Sequence, residues 1–238
     1  MATNSSAVAW LNERTKVVGR KEALVEGLRA NGFSVQEGIP RTVADVFVTW
    51  NRFGEADAVA RAFERAGKRV IVIENSSWNG LVPGRWLHIA PNRHNTAGVY
   101  RVGSPARWDA LGVPLEPWRE EGGETVALSQ RGIGVPPTAM PKDWPMQQRC
   151  RVRRHPGRGA TTDDLRRDLV RCSRVRTWGS AAAILALAWG VRVESDMPRW
   201  IGAQDNTDAG RVGMFRLLAW AQWRIEEIAS GEAFRWVL

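Results

Sequence analysis

Apolar residues along this chain fall in short continuous blocks rather than in strict alternation. Asp45 to Trp50 (DVFVTW) and Arg69 to Glu74 (RVIVIE) are largely apolar runs bounded by polar turns, the pattern of strands covered on both faces. Between them, Asn51-Arg52-Phe53-Gly54 leads into Glu55 to Ala66, which reads as a helix that Gly67 ends. Upstream, Lys16 to Arg20 is expected as a short first strand. Lys21 to Asn31 follows as a helix with Ala23, Leu24, Gly27 and Leu28 inward, and Phe33 to Gln36 as a weak second strand.

The same rhythm returns after residue 120. Glu124 to Ser129 predicts a strand, followed by the loop Gln130 to Pro137. Arg151 to Arg154 is a strand ending at His155-Pro156-Gly157, and Thr161, Thr162 and Asp163 open a helix. Arg174 to Trp178 is a strand that meets Gly179-Ser180 and a helix of small residues, and Val191 to Glu194 is another strand. Strands alternating with helices imply parallel pairing and an α/β fold. The stretch from Asn75 to Arg119 loses periodicity apart from a helical turn at Ala106 to Leu111, and Pro114 to Gly123 reads as a linker. Val212 to Ala229 predicts one amphipathic helix, with Met214, Leu217, Leu218, Ala221, Ile225 and Ile228 on its inner stripe. The expected organisation is two Rossmann-like β/α domains, residues 1–118 and 119–238.

Composition narrows the class. With 238 residues and 44% apolar content the chain is long enough for two cores, and no run approaches the roughly 18 apolar residues of a membrane span. The N-terminal residues show no secretory pattern, and Cys150 and Cys172 lack metal-ligand spacing, so a cytoplasmic protein with free thiols and no membrane partner is expected. The formal charge is +9, and between Arg149 and Arg176 ten arginines face three aspartates. Such an excess is either a polyanion-facing surface or a solvated face. The thirteen tryptophans lie mostly beside apolar positions and are expected in cores or at their rims.

Parallel sheets bind ligands beyond the carboxyl ends of their strands, which selects the candidate residues. In the second half, Gly179 and Ser180 open a helix where amide groups favour an anion, and Arg154 and His155 end a neighbouring strand. Arg131-Gly132 belongs to a glycine loop without the third glycine of a dinucleotide fingerprint, leaving a backbone-lined donor contact open. Glu194 is placed to accept from ribose hydroxyls or to pair with a neighbouring arginine. In the first half, Asn51 and Arg52 follow one strand, and Glu74 and Asn75 end the next. Glu55 and Asp57 are read as acids of a helix first turn. Glu74 or His94 is the candidate general base, with Asn95 and Gly98 shaping the acceptor side. There is no P-loop, no Gly-x-Ser-x-Gly elbow and no Asp-x-Asp pair, and no metal is expected.

RRHPG at 153–157, TWGSAAAILALAWGVRV at 177–193, ENSSWNG at 74–80, RHNTAG at 93–98 and the tail LAWAQWRIEEIASGEAF at 218–234 together resemble two-Rossmann-domain glycosyltransferases of the GT-B type. The likeness is to phage-encoded members related to capsule-polysaccharide transferases. It implies two lobes facing across a cleft and a nucleotide-sugar donor, expected as a UDP-sugar, with Arg154, His155 and Ser180 on the donor phosphates. Beyond that donor no cofactor is implied. For a phage-type enzyme with this arginine excess, the expected acceptor is a 5-hydroxymethylpyrimidine in double-stranded DNA. The alternatives are a polysaccharide or lipid-linked sugar as acceptor, or a non-catalytic DNA-binding module.

Overall fold

The computed structural model describes residues 5–10, 19–93, 97–156 and 161–238. The chain forms an α/β protein of two compact units, one made of residues 1–75, 84–100 and 221–238, the other of 76–83 and 101–220.

In the first unit, β1 (Ser6–Trp10), α1 (Arg20–Ala30), β2 (Ser34–Glu37), β3 (Val46–Trp50), α2 (Glu55–Arg65) and β4 (Arg69–Asn75) alternate. They are joined by β5 (Trp86–Pro91) and, from the C-terminal end, β10 (Gln222–Arg224). The six-stranded sheet has the order β10-β5-β4-β3-β1-β2. β2, β1, β3 and β4 are parallel, whereas β5 runs antiparallel to both β4 and β10. Every residue of β3 is buried, as its unbroken apolar run predicts. Phe47 and Phe63 pack with ring centroids 5.1 Å apart, joining that strand to α2.

The second unit holds α3 (Ala106–Asp109), β6 (Glu124–Leu128), β7 (Arg151–Arg153), α4 (Thr162–Asp168), β8 (Cys172–Thr177), α5 (Ala181–Ala188), β9 (Arg192–Ser195) and α6 (Asp208–Ala219). Its four strands are all parallel in the order β7-β6-β8-β9. The parallel part of each sheet therefore repeats one topology: the second strand, the first, the third, the fourth. Thr161 caps α4 in a reciprocal capping box with Asp164, and the Ser180 hydroxyl caps α5.

Four expectations from the sequence change. β1 lies at Ser6–Trp10, and the strand expected over Lys16 to Arg20 falls mostly outside the described residues. The single C-terminal helix is instead α6, then β10, then α7 (Ile225–Ala229) and α8 (Glu232–Val237), because Gln222–Arg224 pairs with β5. The expected linker is tied into the second unit. Glu116 N donates to Ala188 O at 2.9 Å, Arg119 N to Gly190 O at 2.8 Å, and Arg211 lies 4.0 Å from the Trp118 ring centroid. A single cut at 118/119 thus differs from the observed units, since Trp108 stacks on Phe215 at 4.5 Å while residues 221–238 complete the first sheet.

The arginine excess is also largely answered within the fold. Arg151 pairs with Glu124, Arg153 with Asp168, Arg166 with Glu116, Arg167 with Asp164, Arg174 with Glu194 and Arg176 with Asp196. Four of these carboxylates come from outside the arginine-rich stretch. Eight tryptophans are buried, which favours packing over stacking on a ligand for most of them. Cys150 and Cys172 are unpaired thiols. Among the described residues no helix is long and apolar enough to cross a membrane.

Candidate functional site

In the second unit the four parallel strands bring their following residues to one edge. Ser129, Gln130 and Arg131 follow β6, Arg154 and His155 follow β7, Trp178 to Ser180 follow β8, and Asp196 follows β9. Sheet order reverses between β6 and β8, the position where doubly wound sheets open a crevice. Ser129 N donates to Arg153 O at 3.0 Å, holding the ends of the first two strands together. Burial, and then the charges of Arg131 and Arg153, lower the His155 pKa below its ordinary value. The imidazole is thus neutral at pH 7, able to accept on one nitrogen and donate from the other. Arg131, Arg154 and His155 are all exposed.

The mouth of α5 is more committed than the sequence implies. Thr177 Oγ1 accepts from Gly179 N at 3.2 Å and from Ser180 N at 2.9 Å, and the Ser180 hydroxyl accepts from Ala182 N at 3.2 Å. Ser180 is therefore an N-cap, and those amides already have partners. Gly179 answers a packing need: a Cβ there would stand 3.0 Å from Met197 Sδ and 3.3 Å from the Trp200 ring. Trp178 Nε1 donates to Pro137 O at 2.9 Å, so the loop after β6 is fastened to the end of β8. Met140 and Trp144 of the β6–β7 connection pack on Ala127, and Trp144 Nε1 donates to Asp196 Oδ2 at 2.7 Å. Gly132 takes a φ of 67° within that connection. Glu194 pairs with Arg174, the second of its two expected roles. Thr177, Trp178 and Asp196 were not among the expected site residues, because their roles lie in bonds to residues far along the chain: Thr177 Oγ1 to Leu128 O, Trp178 Nε1 to Pro137 O, and Asp196 to Trp144 Nε1.

The corresponding edge of the first unit carries Asn51, Glu74 and Asn75. Asn51 adopts a φ of 62°, a left-handed conformation that asparagine tolerates better than most residues. With its carboxamide oriented to suit its neighbours, its nitrogen donates to Glu74 Oε1 at 2.8 Å and its oxygen accepts from Trp50 Nε1 at 3.3 Å. Glu74 is half-buried, so this arrangement orients a carboxylate that remains in reach of solvent. Asn75 accepts from Arg20 Nη1 at 3.4 Å.

Arg52 does not serve as a substrate contact. Its side chain is 2% exposed, its Nε donates to Asp57 Oδ1 at 2.9 Å, and its two terminal nitrogens reach Glu64 at 2.6 and 2.8 Å. Asp57 also accepts from Arg61 Nε at 2.7 Å, consistent with a stabilising acid in the first helical turn. His94 and Asn95 lie outside the described residues. Gly98 permits a close approach, since a Cβ there would stand 2.9 Å from the Tyr100 hydroxyl.

Beside Glu74 is a polar chain that the sequence did not reveal. His88, fully buried on β5, stands opposite Glu74 in the strand register. Its Nδ1 lies 2.5 Å from Gln222 Nε2 and its Nε2 lies 2.9 Å from the Tyr100 hydroxyl. An amide nitrogen donating to Nδ1 places the ring proton on Nε2, which then donates to Tyr100. Burial lowers the His88 pKa from 6.5 to about 3. The unfolded imidazole takes up a proton below pH 6.5 while the folded one does not, so stability is lost as pH falls from 6.5 toward 3. The loss reaches up to about 2 kcal/mol at pH 5. Urea unfolding at a series of pH values is expected to show this slope in the natural chain and to lack it in His88→Gln. Equal slopes would remove His88 as the source.

Among the described residues no group of three or more metal-ligating side chains forms a cluster. No protein-family model matches the chain, and no curated protein matches it. Among solved structures, a heterocyclase in complex with substrate and cofactor aligns at 14% identity over 40% of this chain and 12% of its own, with a TM-score of 0.26. Aspartate transcarbamoylase from Trypanosoma cruzi, in complex with phosphate, aligns at 14% identity over 96% of this chain and 82% of its own, with a TM-score of 0.27. Neither likeness is close enough to bear on activity.

Proposed function

We propose that this chain is a glycosyltransferase that moves a sugar from a nucleotide-sugar donor, a UDP-sugar, to a hydroxyl acceptor. The observation that carries the reading is the gathering, at the carboxyl edge of an all-parallel sheet, of Arg131, which follows β6 beside the switch point, with Arg153, Arg154 and His155 at the end of the neighbouring edge strand β7. Arg131, Arg154 and His155 are exposed there, and a diphosphate matches their charge and hydrogen-bonding capacity. Ser180 supports the donor side by starting α5 rather than by offering its own hydroxyl.

In the transfer, the acceptor oxygen bonds to the anomeric carbon as the bond from that carbon to the diphosphate oxygen breaks. Glu74, oriented by Asn51, takes the acceptor proton, and Arg131 and Arg154 offset the charge left on the nucleotide diphosphate. The reading entails the two-lobed GT-B arrangement, with the donor on the second unit and the base on the first. The favoured acceptor is a 5-hydroxymethylpyrimidine in double-stranded DNA, supported by the net charge of +9. Surface ion pairs of arginine are each worth little, so the paired arginines can exchange carboxylates for DNA phosphates at small cost.

Thermal unfolding with a panel of nucleotides and nucleotide sugars tests the donor site, because a ligand of the folded state must raise the melting temperature. Arg154→Gln/His155→Gln is expected to weaken the stabilising nucleotide by about ten- to a hundred-fold, the range for charged hydrogen bonds, without changing the unliganded melting temperature. If no nucleotide stabilises the natural chain, the proposal fails. Mass spectrometry of hydroxymethylated DNA incubated with the same donors then identifies the transferred sugar.

A further inference from the structure

Two asparagines of this chain precede a glycine, Asn31-Gly32 and Asn79-Gly80, and the fold treats them in opposite ways. An asparagine side chain is open to attack by the backbone nitrogen of the next residue, and glycine, with no Cβ, leaves that nitrogen least shielded. At Asn31 both groups are held. Its Nδ2 donates to Gly27 O at 2.8 Å and to Gly231 O at 2.9 Å, and Gly32 N donates to Arg29 O at 2.9 Å.

Asn79 lies in the Ser76–Pro83 segment of the second unit. The Trp78 ring is buried, its centroid 5.7 Å from that of Trp108, and anchors the segment from below. Leu81 N donates to Trp78 O at 2.9 Å and Gly80 takes a φ of 85°, the conformation of a type II turn whose central residues are Asn79 and Gly80. The peptide N–H between those two residues stands outside the turn's hydrogen bond. Both residues are exposed, and among the described residues neither the Asn79 carboxamide nor Gly80 N has a hydrogen-bond partner.

We infer that Asn79 is a site of spontaneous deamidation, and that of the two Asn-Gly pairs it alone reacts in the folded chain. Base takes the proton from Gly80 N, the nitrogen bonds to Asn79 Cγ, and the Cγ–Nδ2 bond breaks as ammonia leaves. Water then opens the succinimide at either carbonyl, giving aspartate or, with an extra methylene in the main chain, isoaspartate. No electrons are gained or lost, and water is the sole co-reactant. A Cβ on Gly80 would stand 2.0 Å from Thr162 Oγ1 in the first turn of α4, so a lengthened chain has no room to shift there. Isoaspartate therefore loosens the seat of this segment on α4. The inference does not depend on sugar transfer.

The full chain is aged in mildly alkaline buffer, folded and in urea, and its peptides are mapped by mass spectrometry for the replacement of NH2 by OH. In the folded chain Asn79 is expected to convert at least about a hundred-fold faster than Asn31, where three hydrogen bonds must break first. In urea the two should convert at similar rates, which assigns the difference to the fold. Thermal unfolding of the aged chain is expected to show a component melting a few degrees lower. Asn79→Asp, which adds the charge without the methylene, should melt with the natural chain, and Asn79→Gln, whose longer side chain closes the ring far more slowly, should age without that component. Asn79 remaining intact in the folded chain while it converts in urea, or Asn31 keeping pace with it in the folded chain, overturns the inference.

Discussion

Replacing Arg52 with methionine is expected to destabilise the chain by about 3 kcal/mol, at the low end of what breaking a buried ion pair costs. The guanidinium joins the end of β3 to both ends of α2, through Asp57 in its first turn and Glu64 in its last. It also donates to the Asn92 carbonyl just beyond β5. Methionine fills much of the same space but leaves two carboxylates and a carbonyl without this donor. The effect stays near the low end because the Glu64 side chain is 36% exposed and can be hydrated, whereas Asp57, at 11%, cannot be hydrated as fully. Urea unfolding should show a lower midpoint with an unchanged slope. Arg52→Lys should recover less than half the loss, because one ammonium cannot reproduce a planar fork with three acceptors at separate places. A loss below about 1 kcal/mol in the methionine variant would show that the network contributes little beyond an exposed pair.

Gly27→Ala is expected to be destabilising by about 3 kcal/mol, near the upper limit usual for overpacking, although alanine favours helices over glycine by about 1 kcal/mol. Gly27 is in the middle of α1, where helix propensity alone would select almost any other residue. A Cβ at this position would stand 1.9 Å from Ile228 O and 3.0 Å from the Phe234 ring. The first of these is backbone, which cannot turn aside as a side chain can. The glycine therefore lets the C-terminal segment lie directly on α1, where Asn31 Nδ2 also donates to Gly231 O at 2.9 Å. Thermal unfolding of the Ala variant reads the cost. A melting temperature equal to or above that of the natural chain would mean that α7 does not lie against α1 as described. Gly213, also helical but with open space where its Cβ would be, is the control: Gly213→Ala should follow propensity and stabilise by about 1 kcal/mol.

β3 and β4 were legible because they are covered on both faces and so read as apolar runs, and β6 and β8 because they recur in the same strand-helix rhythm. β3, β4, β6 and β8 lie within a residue or two of their expected bounds, as do α1 and α2. β5 was not legible. Trp86–Pro91 includes a histidine and ends in a proline, and only its neighbours Tyr100 and Gln222 make that histidine compatible with full burial. The C-terminal stripe misled for a different reason: its period continues through Trp220 to Arg224, but β5 offers a strand edge that captures those residues. At the candidate site, His155 was recognisable from its place at a strand end. The arginine-rich stretch looked uncompensated because four of its partner carboxylates come from other parts of the chain.

By itself, the sequence determined the α/β class, most of the parallel strands and the helix starts at Thr161 and Ser180. These depend on hydrophobic burial and on hydrogen bonds between residues a few positions apart. Tertiary structure decided which half the C-terminal strand joins, which arginines keep a carboxylate, and how Trp178 and Asp196 tie the second sheet's carboxyl edge to the β6–β7 connection. Those outcomes come from contacts between residues distant in the chain, whose free energies depend on geometry that no local pattern encodes.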